Sequence, residues 1–162
     1  MNVPKTSMNI RVAPADPETI EQLKMTMPLN NHEDKFALQQ NGQGLYLAAW
    51  IDEDPVGYIF IRWEKNEPAT QLPITLRSYI DAIEVNEKFD SDEIGNYLIA
   101  NAENYMKVKG FHTLGFVVGL TDKKAIRFYL KQGYEPQRLV TLPGEHSKMK
   151  KWCIYFEKWL QI

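Results

Sequence analysis

A chain of 162 residues, 44% hydrophobic and 25% charged, suffices for one domain with a sizeable core, taken as 1–162, and no biased run predicts disorder. Its formal charge is −2, its pI is ≈ 5.9, and no Lys/Arg cluster marks one face, which excludes nucleic acid as an expected partner. The opening "MNVPKTSMNIRV" lacks a signal-peptide apolar run and no segment is suited to a bilayer, so a cytoplasmic protein with no membrane partner is expected.

The elements follow in chain order. "MNIRVAP" alternates as a first strand. "DPETIEQLKMTM" opens with Asp16 as cap and Pro17 at the first helical position, with Ile20, Leu23 and Met27 at helical spacing. "NNHEDKFALQQNGQG" reads as a short polar helix and a loop. "LYLAAWID" and "VGYIFIRWE", separated by "EDP", read as a hairpin. "KNEPATQLPITLR" is loop-like, and "SYIDAIEV" is a strand buried on both faces. A long helix is expected from Ser91 to Lys109, ended by Gly110. "HTLGFVVG" is a strand, "DKKAIRFYLKQG" a helix stopped by Gly133, and "RLVTL" and "KWCIYFEKWL" are strands joined by "PGEHSKMK". This order predicts an α/β fold, a mixed central sheet flanked by helices on both faces.

Cys153 is single, so no intramolecular disulfide forms, and within its apolar alternation it reads as a small buried hydrophobe. His32, His112 and His146 have no metal-ligand spacing, and no metal site is predicted. His32 and His146 are expected in solvent. The aromatic-rich last strand is open to two readings, pairing of two chains in a homodimer or closure of the sheet within one.

"DKKAIRFYLKQGYEP" resembles the last helix motif of the Gcn5-related N-acetyltransferases (GNAT), Asn-x-x-Ala-x-x-Phe-Tyr-x-x-x-Gly-Phe. Ala125, Phe128, Tyr129, Gly133 and Tyr134 match, and Asp122 stands for the usual Asn. The element order from Met8 onward is similar to that family as well. The resemblance implies a GNAT-like acyl-CoA N-acyltransferase fold and transfer from the cosubstrate acetyl-CoA to an amine of a small molecule or peptide. It also implies a cofactor contact from the backbone of Ile83, Glu84 and Val85, an anion-binding loop over Asp90, Ser91, Asp92, Glu93, Ile94, Gly95 and Asn96, and contacts from Asp122 and Ala125. Tyr129 matches the family's proton donor to the leaving thiolate.

That loop departs from the family pattern, Gln/Arg-x-x-Gly-x-Gly/Ala. The basic residue falls on Asp90, the first glycine on Glu93, and only Gly95 remains. Asp90 and Glu93 have capping-box spacing, and Phe89 and Ile94 that of its hydrophobic staple, so this helix start supplies its own anions. A pyrophosphate must displace them and approach Asp92 too. Two unit charges at 4 Å interact by about 1 kcal/mol in water and about 4 kcal/mol at an effective dielectric near 20, and a lost cap costs roughly 1 kcal/mol more. Lys88, and Lys123, Lys124 and Arg127 of the later helix, are the candidate compensation.

For a general base the strand offers Asp81 and Glu84, which odd spacing puts on opposite faces. Asp81 is chosen, because a carboxylate among apolar neighbours needs a partner or a task. The residues alone leave each role open: Tyr129 as acid or as packed aromatic, Asp81 as base or as a strand-end acid. An acetyltransferase is the first reading and a non-catalytic binding or regulatory module on the same fold the second. A larger acyl group is not distinguished from acetyl. Over the segments where the resemblance implies the acceptor lies, Glu33, Asp34 and Glu145 permit a cationic amine, and ordinary surface charge accounts for them equally well.

Overall fold

The structure is a computed structural model and describes residues 9–28, 30–63, 78–143 and 150–160. The loop expected over 65–77, with Glu145 and His146, lies outside the described residues. The elements are β1 (Ile10–Pro14), α1 (Pro17–Thr26), α2 (His32–Gln40), β2 (Gly44–Ile51), β3 (Asp54–Trp63), β4 (Ser78–Val85), α3 (Ser91–Val108), β5 (Thr113–Gly119), α4 (Lys123–Lys131), β6 (Glu135–Pro143) and β7 (Lys150–Trp159). The strands form a seven-stranded mixed sheet in the order β1-β2-β3-β4-β5-β7-β6. β4 and β5 are parallel, whereas β1 with β2, β5 with β7 and β6 with β7 are antiparallel. β6 begins earlier than its apolar core suggests, at Glu135, across an irregularity between Pro136 and Arg138.

Two compact units divide the chain, Met1–Ile61 with Ala82–Ala102 and Arg62–Asp81 with Glu103–Ile162. In the first, Asp16 caps α1 as its sequence requires: its Oδ1 accepts from the Thr19 amide at 2.8 Å, and the Thr19 hydroxyl accepts from the Asp16 amide at 3.3 Å. The Thr19 amide, and after it the Thr19 hydroxyl donating to the same Oδ1 at 2.8 Å, favour the carboxylate and lower the pKa of Asp16. Ile20, Leu23 and Met27 then bury one stripe of α1 in a cluster with Ala15, Tyr46, Tyr58 and Phe60, and Ala82 of β4 packs against it. Gly57 lets the start of α3 come close to β3. A Cβ there would sit 2.9 Å from the Glu84 carbonyl oxygen and 3.3 Å from Ile94.

The second unit is built on aromatic stacking. The Phe116 ring lies between Tyr129, at 3.4 Å between centroids, and Phe156, at 4.9 Å. Tyr134 meets Phe116 edge-on at 5.6 Å. Gly110 and Gly133 end α3 and α4 at φ 94° and 90°, left-handed conformations that glycine adopts without strain. Cys153 is buried within β7. Among the described residues no helix is long and apolar enough to cross a membrane, and no group of three or more His, Cys, Asp or Glu side chains is placed to hold a metal.

Candidate active site

In the first unit the end of β4 and the start of α3 are fixed by short-range bonds. The Asn86 amide donates to the Val56 carbonyl at 2.8 Å, anchoring the strand end to β3. Asn86 Oδ1 then accepts from the Lys88 amide at 3.0 Å and its carbonyl from the Phe89 amide at 3.0 Å, which turns the chain sharply into the helix. Asp90 Oδ1 accepts from the amides of Asp92 at 3.0 Å and Glu93 at 3.2 Å. The acidic helix start does occupy its own amides.

The expected capping box is only half formed. Glu93 Oε2 is buried with no hydrogen-bond partner among the described residues, so its carboxylate does not return to the Asp90 amide. Asp90, Asp92 and Asn96 are exposed, Ser91 and Glu93 half-buried, and Ile94 and Gly95 buried. The side chains facing solvent at this helix terminus are therefore carboxylates, where the dipole favours an anion.

Glu84, not Asp81, receives the polar partners on β4. Asp81 is exposed. Alternation along the strand puts Glu84 on the side of Ala82, and its Oε2 accepts from the Tyr58 hydroxyl at 2.7 Å and from Asn30 Nδ2. Burial, then the bond to this carboxylate, holds the Tyr58 phenol far above its ordinary pKa. Both donors fall on one oxygen, and Oε1 has no partner among the described residues. Glu84 lines a cleft of ≈ 760 Å³ with Met25–Pro28 on one wall and Glu84–Lys88 on the other, within the size range of small-molecule sites. Ile83 and Val85 are half-buried on the same strand.

His32 is buried at 2% exposure, not solvated as its polar neighbours suggested. Its Nε2 lies 2.6 Å from the Met27 carbonyl, and its Nδ1 bonds to the Tyr46 hydroxyl. With Nε2–H donating to the carbonyl, Nδ1 accepts from Tyr46, so the imidazole ties the cleft-lining loop to β2. Tyr46, Tyr58, Asn30 and His32 were missed as site residues. Their signals were faint: two tyrosines inside buried strands, and an Asn and a His in a polar segment.

In the second unit Asp122 caps α4, its Oδ1 accepting from the Ala125 amide at 3.1 Å. The Asp in place of the family's Asn thus keeps the cap and adds a charge. Tyr129 is 5% exposed, stacked on Phe116 and edge-on to Phe128 and Tyr134. Burial, and secondarily the charge of Asp122, push its phenol above the ordinary value, so it holds its proton throughout the neutral range.

The comparisons with known proteins agree on the fold. An N-acetyltransferase from Staphylococcus aureus Mu50 superposes with a TM-score of 0.72 at 14% identity, over 94% of this chain and 99% of that one. The ribosomal-protein-S18-alanine N-acetyltransferase of Escherichia coli gives 0.71 at 12% identity, over 95% and 96%. Arabidopsis thaliana NAA60, solved in complex with acetyl-CoA, gives 0.70 at 18% identity, over 94% and 99%. No curated protein sequence matches the chain. The family model described as "Acetyltransferase (GNAT) family" matches residues 15–134, from the cap of α1 to the tyrosine after α4, and the chain belongs to that family, whose members are acetyl-CoA-dependent N-acetyltransferases.

Proposed function

We propose that this chain is an acetyl-CoA-dependent N-acetyltransferase acting on a primary amine of a small molecule or peptide. The observation that carries the reading is Glu84. Its carboxylate is held on one oxygen by Tyr58 and Asn30, the residue lines an open cleft, and the other oxygen has no partner among the described residues.

Acetyl-CoA supplies the acyl group as a thioester. The α3 terminus fits an anion at a cost, since a phosphate must take the Asp92 and Glu93 amides from exposed Asp90, with Lys88 as the nearest cation in the turn. In transfer the amine nitrogen–carbon bond forms as the carbon–sulfur bond breaks. Glu84 receives the proton that the ammonium gives up, directly or through water, taking the role first assigned to Asp81. Tyr129 is the proposed donor of a proton to the thiolate on the strength of its motif position; burial raises its pKa and makes the resting phenol a weaker donor than a free tyrosine. Asp122 and Ala125 of α4, and the backbone of Ile83–Val85, are the remaining proposed cofactor contacts. The occupied amides of α3 favour a second reading, a module on the same fold with weak coenzyme affinity.

Calorimetric titration with acetyl-CoA separates the two. Micromolar binding is the expected result; millimolar or undetectable binding selects the module. Asp90→Ala frees two amides and removes a charge, so binding is expected to tighten by roughly tenfold or more, from about 1 kcal/mol of cap and about 1 kcal/mol of repulsion. Unchanged affinity would show that the acidic cap does not compete. For Tyr129→Phe, turnover is expected to fall at least tenfold while the melting temperature moves little, because the ring stays in its stack. Normal turnover with a large stability loss would make Tyr129 a packing residue alone.

A further inference from the structure

The two walls of the 760 Å³ cleft differ in kind. On the α1 side stand Met25, 83% exposed, Met27 and Pro28, none of them charged. The β4 side carries Glu84 and Glu87, with Lys88 beside them. Among the described residues Glu84 takes hydrogen bonds from the neutral groups of Asn30 and Tyr58 alone, both on Oε2, and no described cation pairs with it. A half-buried carboxylate held this way has no counter-ion bonded to it among the described residues, and its most favourable ligand is a cation that donates to Oε1. The exposed thioether of Met25 and the pyrrolidine ring of Pro28 in the same lining favour contact with carbon.

We propose that the acceptor is an amphiphilic primary ammonium, with its –NH₃⁺ on Glu84 Oε1 and an apolar group against Met25–Pro28. The proposal rests on the reading of this cleft as the acceptor side of an acetyltransferase. It disfavours polyamines, whose second cation would meet uncharged Met25 and Pro28 or, at Glu87, a carboxylate with the ammonium of Lys88 beside it. Two sources share the chemistry, a small alkyl amine and the amino terminus of a peptide that begins with an apolar residue.

Binding is read without coenzyme, on full-length protein carrying carbon-13 methionine methyls. It is titrated at neutral pH with n-hexylammonium, a tripeptide amide with amino-terminal leucine, spermidine and 1-hexanol. Hexylammonium or the peptide is expected to shift the Met25 and Met27 resonances saturably, at least about tenfold tighter than spermidine or hexanol. The tighter of the two identifies the source. Glu84→Gln should weaken that binding by roughly tenfold or more, the loss of one charged hydrogen bond. Tighter binding of spermidine, equal binding of hexanol, an unaffected Glu84→Gln, or no shift with any probe would each overturn the proposal. If acetyl-CoA fails to bind in calorimetry, the transferase reading falls while this result stands; if acetyl-CoA binds and spermidine is preferred, only this inference falls.

Discussion

Glu84→Gln is expected to lower kcat/KM for acetyl transfer by 10²–10⁴-fold, the contribution of a positioned base, equivalent to about 3–5 kcal/mol of barrier. Hexylammonium or the leucine peptide serves as acceptor, and release of the coenzyme thiol is the readout. The variant should remain folded, because the glutamine carbonyl can still accept from Tyr58 and Asn30, which now meet on Oε2. What it loses is the negative charge facing the cleft and the capacity to take a proton. The split between parameters separates two roles. A fall in kcat at nearly constant KM assigns proton removal to Glu84; a rise in KM at constant kcat leaves it an anchor for the ammonium. Asp81→Asn is the internal control: exposed Asp81 should tolerate the change with activity near wild type. Loss of activity in Asp81→Asn with none in Glu84→Gln would reverse the assignment.

The contrast between those two acids shows where sequence ceases to speak. Period-two alternation states that Asp81 and Glu84 lie on opposite faces, but not which face meets the cleft. That is decided by Asn30 and Tyr58, far from Glu84 in sequence, and by Ala82 packing on the cluster around Tyr58. Features fixed within a turn were legible. The cap at Asp16 and the amides held by Asp90 follow from residues at most three apart. The half-formed box at Glu93 was not, since spacing permits a reciprocal bond without compelling it. His32 was misjudged because its local sequence does not show its partners. Its neighbours in sequence are polar, yet its partners are Tyr46 and the Met27 carbonyl, and two good bonds make a buried imidazole tolerable.

Lys158→Met is expected to give the largest loss of stability in the second unit, and it explains part of the motif by which the family is recognised. Gly133, at φ 90°, ends α4 and lets Tyr134 fold beneath the helix, where its hydroxyl donates to Glu103 Oε2 at 3.1 Å. Lys158 closes the arrangement from β7. Its Nζ donates to Glu103 Oε1 at 3.0 Å and to the Gln132 carbonyl at 2.8 Å, and lies 5.7 Å from the centre of the Tyr134 ring. The side chains of Lys158 and Glu103 are 29% and 11% accessible, so water screens the pair only partly. Removing the lysine leaves a nearly buried carboxylate with one neutral donor among the described residues, a loss of about 3 kcal/mol at the lower end of the range for a broken buried pair. For a chain of this size that lowers the melting temperature by about 6–12 °C. The double variant Glu103→Leu/Lys158→Met should recover most of the loss, because an apolar pair does not carry the desolvation cost of the ionic one. A fall of under about 2 °C in Lys158→Met would show that solvent already compensates Glu103. Equal losses in the single and double variants would place the cost in lost packing and not in an uncompensated charge. Neither variant touches Glu84 or the α3 terminus, so acetyl-CoA affinity measured well below the midpoint should stay at the wild-type value. The glycine and tyrosine of the motif would then hold α4 in place, and Tyr129 alone among its aromatic residues would remain open to chemistry.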